Sequence, residues 1–540
     1  MPNFASRRSV IRAVAVAFLA TCAPSSGITA AQAATLSIGL SSDVTSIDPH
    51  WNNSGPNVSL STHVFEPLTL TDRNGRLIPG LAVSWRAVDP LTWEFKLRPG
   101  VRFHDGSELT ADDVVFSIDR TKSLQGSPAS FASFVRPITE VVAIDRQTVR
   151  IRTAAPHVLV PYDLNSIFIV SKAAVAAGTS ADFDSGRAAI GTGPFKLVSF
   201  RRGDRIELAR NDAWWGAGAG SGVSDGPPSW DRLTFRMMSN DAARIAALLS
   251  GDVDAIENVP TADVAKIAGD ARFTVARQTS WRTIFWHLDQ YRDVTPFATD
   301  KAGKPLAKNP FKDARVRLAV SKAINRDAIV SRVMEGLAVP ASNLVSPGIF
   351  GYNPAIKVEA YDPGAAKRLL ADAGYPDGFL LTLHAPNNRY VNDARIAETV
   401  AALLSRVGIV TRVETQPWAS YLPHARAGEY TMSLVGWGSS LGDNTIKNHL
   451  GTVDEKKGYG AWNFGRSSNP EVDRQLDHDF TLFDDHAREE AAKSIAALAL
   501  KDTAVVPLHH EIVSWAMRKG LAYPGRVDQF TFGWQFRPVK

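Results

Sequence analysis

The only cysteine of the chain, Cys22, falls in an N-terminal segment unlike everything that follows it. Beyond Ala33 there is no thiol, and so no disulfide, no thiol nucleophile and no thiolate metal site. A stable fold must therefore rest on apolar burial alone. The 540 residues exceed the roughly 250–300 at which single cores stop growing, so two or three domains are expected. With 44% hydrophobic and 21% charged residues, the composition is that of a globular chain.

The first 33 residues read as a secretory signal peptide. Arg7, Arg8 and Arg12 form a positive start, an apolar run follows from about Ala13 to Ala23, and Ala31-Gln32-Ala33 supplies a small-x-small cleavage site. The run is shorter than the roughly 20 residues of a membrane span. Ser6-Arg7-Arg8-Ser9-Val10-Ile11-Arg12 resembles a twin-arginine export motif, and Leu19-Ala20-Thr21-Cys22 partly resembles a lipoprotein box, with Thr21 a poor fit before the cysteine. The expected location is the periplasm, by the general or the twin-arginine route. The formal net charge is +5, and the three leader arginines account for more than half of it. No dense Lys/Arg run follows, so nucleic-acid binding has no support.

Periodicity points to mixed α/β structure. Residues 92–97 alternate, with Trp93, Phe95 and Leu97 on one face and Thr92, Glu94 and Lys96 on the other, which predicts a half-buried strand. Arg98-Pro99-Gly100 is a turn, and Val101-Arg102-Phe103 starts a second strand. Thr110 caps a helix carrying Val114, Val115 and Ile118. Strands are predicted at 147–152 and 195–209, the latter a hairpin turning at Arg202-Gly203-Asp204. Later segments read as helices: one from Asp241, two over 313–335 punctuated by Asn325-Arg326-Asp327, one from Asp362-Pro363 to Gly374, and one from Asn392 or Asp393 to Gly408 with a strand at 409–414. Such alternation fits α/β lobes with open sheets.

Nothing nominates an enzyme. The chain has no G-x-S-x-G elbow, and His509-His510-Glu511 is not a zinc motif because adjacent histidines point to opposite sides of a strand or helix. Asp112-Asp113 and Asp484-Asp485 read as helix starts. The run Gly216 to Gly222 lacks the flanking strand and helix of a dinucleotide site and reads as a surface loop. The expectation is no catalytic residue, no metal and no cofactor. Large aromatics do stand in polar, turn-rich contexts: Trp51, Tyr390, Trp418, Trp437 and Trp462. Aromatic walls with amides and an arginine suit a pocket for a polar small molecule.

The motifs carry a family resemblance. Pro79-Gly80-Leu81-Ala82-Val83-Ser84-Trp85, the run from Thr92 to Gly106, and Leu109 to Ser117 resemble the signature of family 5 solute-binding proteins, the dipeptide, oligopeptide and nickel class of ABC importers. Gly191-Thr192-Gly193-Pro194-Phe195, Asn211-Asp212-Ala213-Trp214-Trp215, Gly251-Asp252-Val253-Asp254-Ala255, the run from Arg317 to Arg326, and Gly436-Trp437 agree in order, so the resemblance spans residues 35–540. It implies a two-lobed periplasmic binding protein of the Venus-flytrap kind, with three domains: a discontinuous first at 34–78, 190–290 and 508–540, an insert at 79–189, and a third at 291–507. It implies a monomer that captures a peptide or peptide-like solute between the lobes and passes it to a membrane permease with its ATPase. A sensor or peptide chaperone using the same cleft, or an exported hydrolase, are the alternative readings.

In dipeptide-binding relatives an aspartate after the Gly-Trp pair holds the ligand amine. Here Ser440 best matches that position, and a serine lacks the charge for an ammonium. Asp443 is the substitute if the loop differs. The relatives' carboxylate-binding arginine falls on Asn388, with Arg389 beside it and Tyr390 matching the family tyrosine. Trp418 and Tyr421 match a tryptophan-x-x-tyrosine pair. The expected ligand site is thus Trp51, Asn388, Arg389, Tyr390, Trp418, Trp437 and Ser440, with Arg389 the anchor for an anionic group.

Overall fold

The computed structural model describes residues 33–175, 178–218 and 220–539. The leader reading, with Cys22 and the export motifs, lies outside the described residues. Residues 34–540 form one compact unit.

A twelve-stranded mixed sheet runs through it. At one end, Thr35–Leu40 pairs in parallel with Arg232–Met237 and Ala255–Glu257, and the hairpin Phe195–Arg201/Arg205–Arg210 extends that edge. At the other end, Phe379–Pro386 pairs in parallel with Ile409–Gln416 and touches Met432–Gly438. The two halves are joined by two long antiparallel strands, Phe273–Leu288 and Val505–Arg518.

These strands change core along their length. Val513, Trp515 and Met517 lie in a core with Leu36, Ile38, Phe195 and Phe235. Val506, Leu508, Ile284, Trp286 and Leu288 lie in another with Phe379, Leu383, Ile396 and Leu434. Between the two cores the register breaks, from Thr279↔Ile512 to Thr283↔His510, leaving Ser280, Trp281 and Arg282 as a bulge. A bulge re-aims side chains and weakens pairing locally. The seam between the lobes therefore falls on this stretch.

A separate four-stranded antiparallel sheet, in the order Ala82–Asp89, Thr92–Leu97, Thr148–Thr153, Ile138–Asp145, carries its own core with helix Ala111–Ser123. Thr110 and Asp113 form the reciprocal capping box of that helix. Two expectations are corrected here. Thr92 and Glu94 are buried rather than solvated, because Arg86 and Arg150 reach over Glu94 at 3.1 and 3.0 Å and cover that face. Val101-Arg102-Phe103 is no strand but a single bridge, Arg102 to Glu108, because the turn at 105–107 closes too soon for more pairing. The helices at Asp241–Ser250, Ala314–Ala323, Pro363–Asp372 and Asp393–Ser405 and the strand from Ile409 form as the spacing predicts. Residues 215–217 make one 3-10 turn, and the described residues between there and Arg232 form no helix or strand.

Two of the sequence motifs meet at one buried carboxylate. Glu66 accepts from Trp214 Nε1 at 2.9 Å, Trp215 Nε1 at 2.6 Å and the Thr192 hydroxyl at 2.7 Å. Burial pushes its carboxyl up to about 7, although the three donors oppose the shift. A carboxyl raised in the folded state contributes stability that is present below its unfolded value and lost as pH rises through 7. Glu66→Gln is expected to remove about 3 kcal/mol of pH dependence between roughly pH 4.5 and 7. Urea titrations of both proteins at pH 5 and 8 check this. A variant whose midpoint falls with pH as steeply as that of the native chain would contradict it.

Candidate functional site

The seam collects one group of polar and aromatic side chains from elements far apart in sequence. The loop after strand Phe379–Pro386 supplies Asn388, Arg389 and Tyr390. Asp393, at the start of the next helix, pins this loop by accepting from the backbone N–H groups of Arg389 at 2.9 Å and Tyr390 at 3.1 Å. Asn392 takes a left-handed conformation, φ 58°, and donates to the Val333 carbonyl and to Thr261 of the other lobe. Asn388 Oδ1 accepts from Trp418 N at 2.8 Å, which fixes the first turn of helix Trp418–Arg426.

Trp418 then stands under Arg389. The guanidinium lies 5.4 Å from the Trp418 ring centre and 5.7 Å from that of Tyr390, within cation–π range. Behind it the rings continue inward: Trp418 on Tyr421 at 5.9 Å, Tyr421 on Tyr430 at 5.2 Å, Tyr430 on His384 at 4.1 Å. Arg389 is solvent-exposed by area but walled by protein on several sides, the condition of a residue in a cleft. That surrounding holds its pKa below the usual arginine value, and the positive charge of Arg282 adds to the effect. Burial raises the Tyr390 hydroxyl.

Arg282 comes from the bulge of the crossing strand. It meets Glu511 at 3.4 Å, and Gln529 Nε2 donates to the same carboxylate at 3.3 Å and to Ser280 Oγ at 3.0 Å. Gln529 is held at φ 70°, a conformation a non-glycine residue adopts at a cost of about 1–3 kcal/mol. The chain past Gln529 continues the wall into the first lobe, where Thr531 donates to Glu257 at 2.5 Å. A small cavity lies there, lined by Leu40, Pro56, Ser59, Phe235, Glu257 and Thr531.

Strand alternation decides where the Gly-Trp-Gly run points. Gly436 and Gly438 face Tyr390 and Trp281. A methyl at either would lie 2.6 Å from those rings, so only glycine admits them. Trp437 points to the opposite face, against His449 at 4.9 Å and Trp462 at 5.1 Å. Ser440 is half-buried just past the strand end, where its neighbour Ser439 closes the turn onto Leu441. Asp443 is fully buried and paired with Arg488 at 3.2 Å, which commits it to the interior. Trp51 sits on the first lobe, where Gly126 approaches its ring and Ser127 donates to its carbonyl. The structure thus brings together Asn388, Arg389, Tyr390 and Trp418, and it adds Arg282, Glu511 and Gln529. Trp437, Ser440 and Trp51 make their contacts elsewhere.

Comparison with known proteins follows from this geometry. The family described as bacterial extracellular solute-binding proteins, family 5 (middle region), matches residues 76–450. The chain belongs to that family. As a family 5 solute-binding protein it is 32% identical over 68% of its length to the dipeptide-binding protein of Escherichia coli, covering 68% of that chain. It is 29% identical over 80% of its length to heme-binding protein A of Haemophilus influenzae, covering 79% of it. The structure of AgaA from A. tumefaciens R10, in complex with agropinic acid, superposes with a TM-score of 0.69 at 25% identity, covering 94% of this chain and 99% of that one. The two-lobed α/β architecture is that of this family.

Proposed function

We propose that this chain is the periplasmic solute-binding component of an ABC importer, closing its lobes on a small polar, peptide-like solute and presenting it to the membrane permease and ATPase. The observation that carries the reading is the pair of guanidinium groups, Arg282 and Arg389, set in one aromatic seam between two lobes. Such a pair suits a carboxylate or another anionic group, bound bidentately and shielded from water on closure. Asn388, Tyr390 and Trp418 complete the wall on that lobe. Trp51, half-buried on the first lobe, is the candidate for the facing wall. The relatives' names span a dipeptide binder, a heme binder and an agropinic acid complex, which supports one frame serving several solutes.

Residues 1–33 are the export signal in this reading, with Ala33 the last residue removed. The domain boundaries proposed are 34–78 with 190–290 and 508–540, then 79–189, then 291–507. Separate apolar cores support three bodies, with Phe168, Val170, Phe183 and Ala188 of the insert packing in the core of the first. The solute leaves chemically unchanged, and the working unit is a monomer.

Protein purified from its own periplasm is expected to carry a solute of defined mass in native mass spectrometry, released on denaturation. Arg389→Ala is expected to weaken its binding about 10- to 100-fold, the loss of one charge-assisted contact. An Arg389→Ala protein that holds the solute as tightly as the native chain would remove the anchor from this account.

A further inference from the structure

Two edge strands of the twelve-stranded sheet are unlike. Phe195–Arg201 breaks register with its neighbour between Leu197 and Ser199, a bulge that spoils the edge for further pairing, and its charged residues, Lys196 and Arg201, carry one sign. Ile409–Gln416 keeps register with Phe379–Pro386 through all 8 residues and pairs with no further strand among the described residues. At its two ends the carbonyls of Gly408 and Gln416 accept from Phe379 and Asn387, so the even-numbered backbone groups face the sheet. Successive residues alternate, so those of Thr411, Val413 and Thr415 face outward. The Thr411 N–H donates to Ser405 Oγ at 3.1 Å. The N–H groups of Val413 and Thr415 have no partner among the described residues.

We propose that Ile409–Gln416 pairs antiparallel with the same strand of a second copy of this chain, about a two-fold axis at Val413, so that the sheet runs from one molecule into the next. Thr411-Arg412-Val413-Glu414-Thr415 is self-complementary in that arrangement. Read against itself it sets Arg412 opposite Glu414, Thr411 opposite Thr415 and Val413 opposite its own copy. A parallel pairing would set Arg412 against Arg412. Charges along an edge normally keep copies apart, whereas the order of signs here draws two antiparallel copies together. Arg412 and Glu414 are exposed, and Val410 on the same face is 51% exposed. His384 Nε2 lies 3.3 Å from Glu414 Oε2 and holds that carboxylate over the strand. The Val413 N–H donates to the Val413 carbonyl of the second copy, and the Thr415 N–H to its Thr411 carbonyl, each bond occurring twice by symmetry. A contact of one short strand is small, so the association is weak. Each copy still binds its solute alone, and the solute-binding reading stands apart from this one.

Sedimentation equilibrium of the purified protein tests this. The weight-average mass of the native chain is expected to climb from that of one copy toward twice that value between about 10 and 500 µM. Arg412→Glu and Glu414→Arg each set like charges opposite one another across the axis, and each variant alone is expected to keep the mass of one copy over the whole range. In an equimolar mixture of the two variants every opposed pair is again of unlike sign, and the mass is expected to climb as it does for the native chain. Both side chains are exposed, and melting temperatures equal to the native value show that the variants are folded. A native chain that keeps the mass of one copy throughout overturns the proposal. So does either variant that associates alone as the native chain does, or a mixture that stays single.

Discussion

Arg488→Met is expected to destabilise the protein by about 3–5 kcal/mol at neutral pH, the cost of leaving buried charge without its partner. Arg488 is 1% exposed, with Asp443 3.2 Å away and Asp479 beside it, both fully buried. Burial, with the charge of Asp443 behind it, pushes the Asp479 carboxyl up to about 8. That raised value means Asp479 contributes stability in acid and loses it as pH climbs toward 8. Without Arg488 the two carboxylates face each other uncompensated, so the deficit of the variant should widen between pH 5 and pH 8.5. Urea unfolding at both values measures it, and a deficit that does not change with pH would mean the aspartates do not share a proton. The guanidinium also lies 5.0 Å from the ring of Tyr162 and 4.7 Å from that of Phe350. The variant is therefore expected also to loosen the packing of Tyr162 against Phe350.

Gly191→Ala is expected to cost about 3 kcal/mol or more, because an added Cβ collides with the Val64 carbonyl and the Phe65 ring, and backbone cannot swing aside as a side-chain tip can. The close approach is used. His104 N donates to Gly191 O at 2.8 Å, Gly193 N donates to Val64 O at 3.0 Å, and Thr192 between them bonds Glu66. The measurement is the urea midpoint of purified protein, or the soluble yield where the variant does not accumulate. A native-like midpoint would show that the Val64 turn yields.

The fold was largely legible because its signals are local. Alternation marks 92–97, a strand expected at 147–152 forms at 148–153, caps mark Thr110 and Asp362, and turn glycines mark Gly203 and Gly374. Half of the site was legible for the same reason, since Asn388, Arg389, Tyr390 and Trp418 stand at loop and helix starts with polar neighbours. The rest depends on register. Arg282 meets Glu511 only because two strands more than 200 residues apart in sequence pair with a bulge at one place, and no spacing within either strand reveals it. The available signal was the polar stretch Thr279-Ser280-Trp281-Arg282 interrupting an apolar strand. His509-His510-Glu511 drew notice as a metal motif to be rejected, and its glutamate meets Arg282 and Gln529 instead. The two histidines are buried, held far below the usual imidazole range at about 3 and 4, and so stay neutral. Trp437 takes the face opposite Gly436 and Gly438, because the face a residue takes in a strand follows from its partners.

The crossing strand Val505–Arg518 also sets the order of events at the ribosome. It lies in the middle of the sheet, between Ala255–Glu257 of one lobe and Phe273–Leu288, which runs into the other. Neither lobe can complete its pairing until Val505–Arg518 has been synthesised, more than 200 residues after the two strands it pairs with. The nascent chain therefore stays incompletely folded for most of translation.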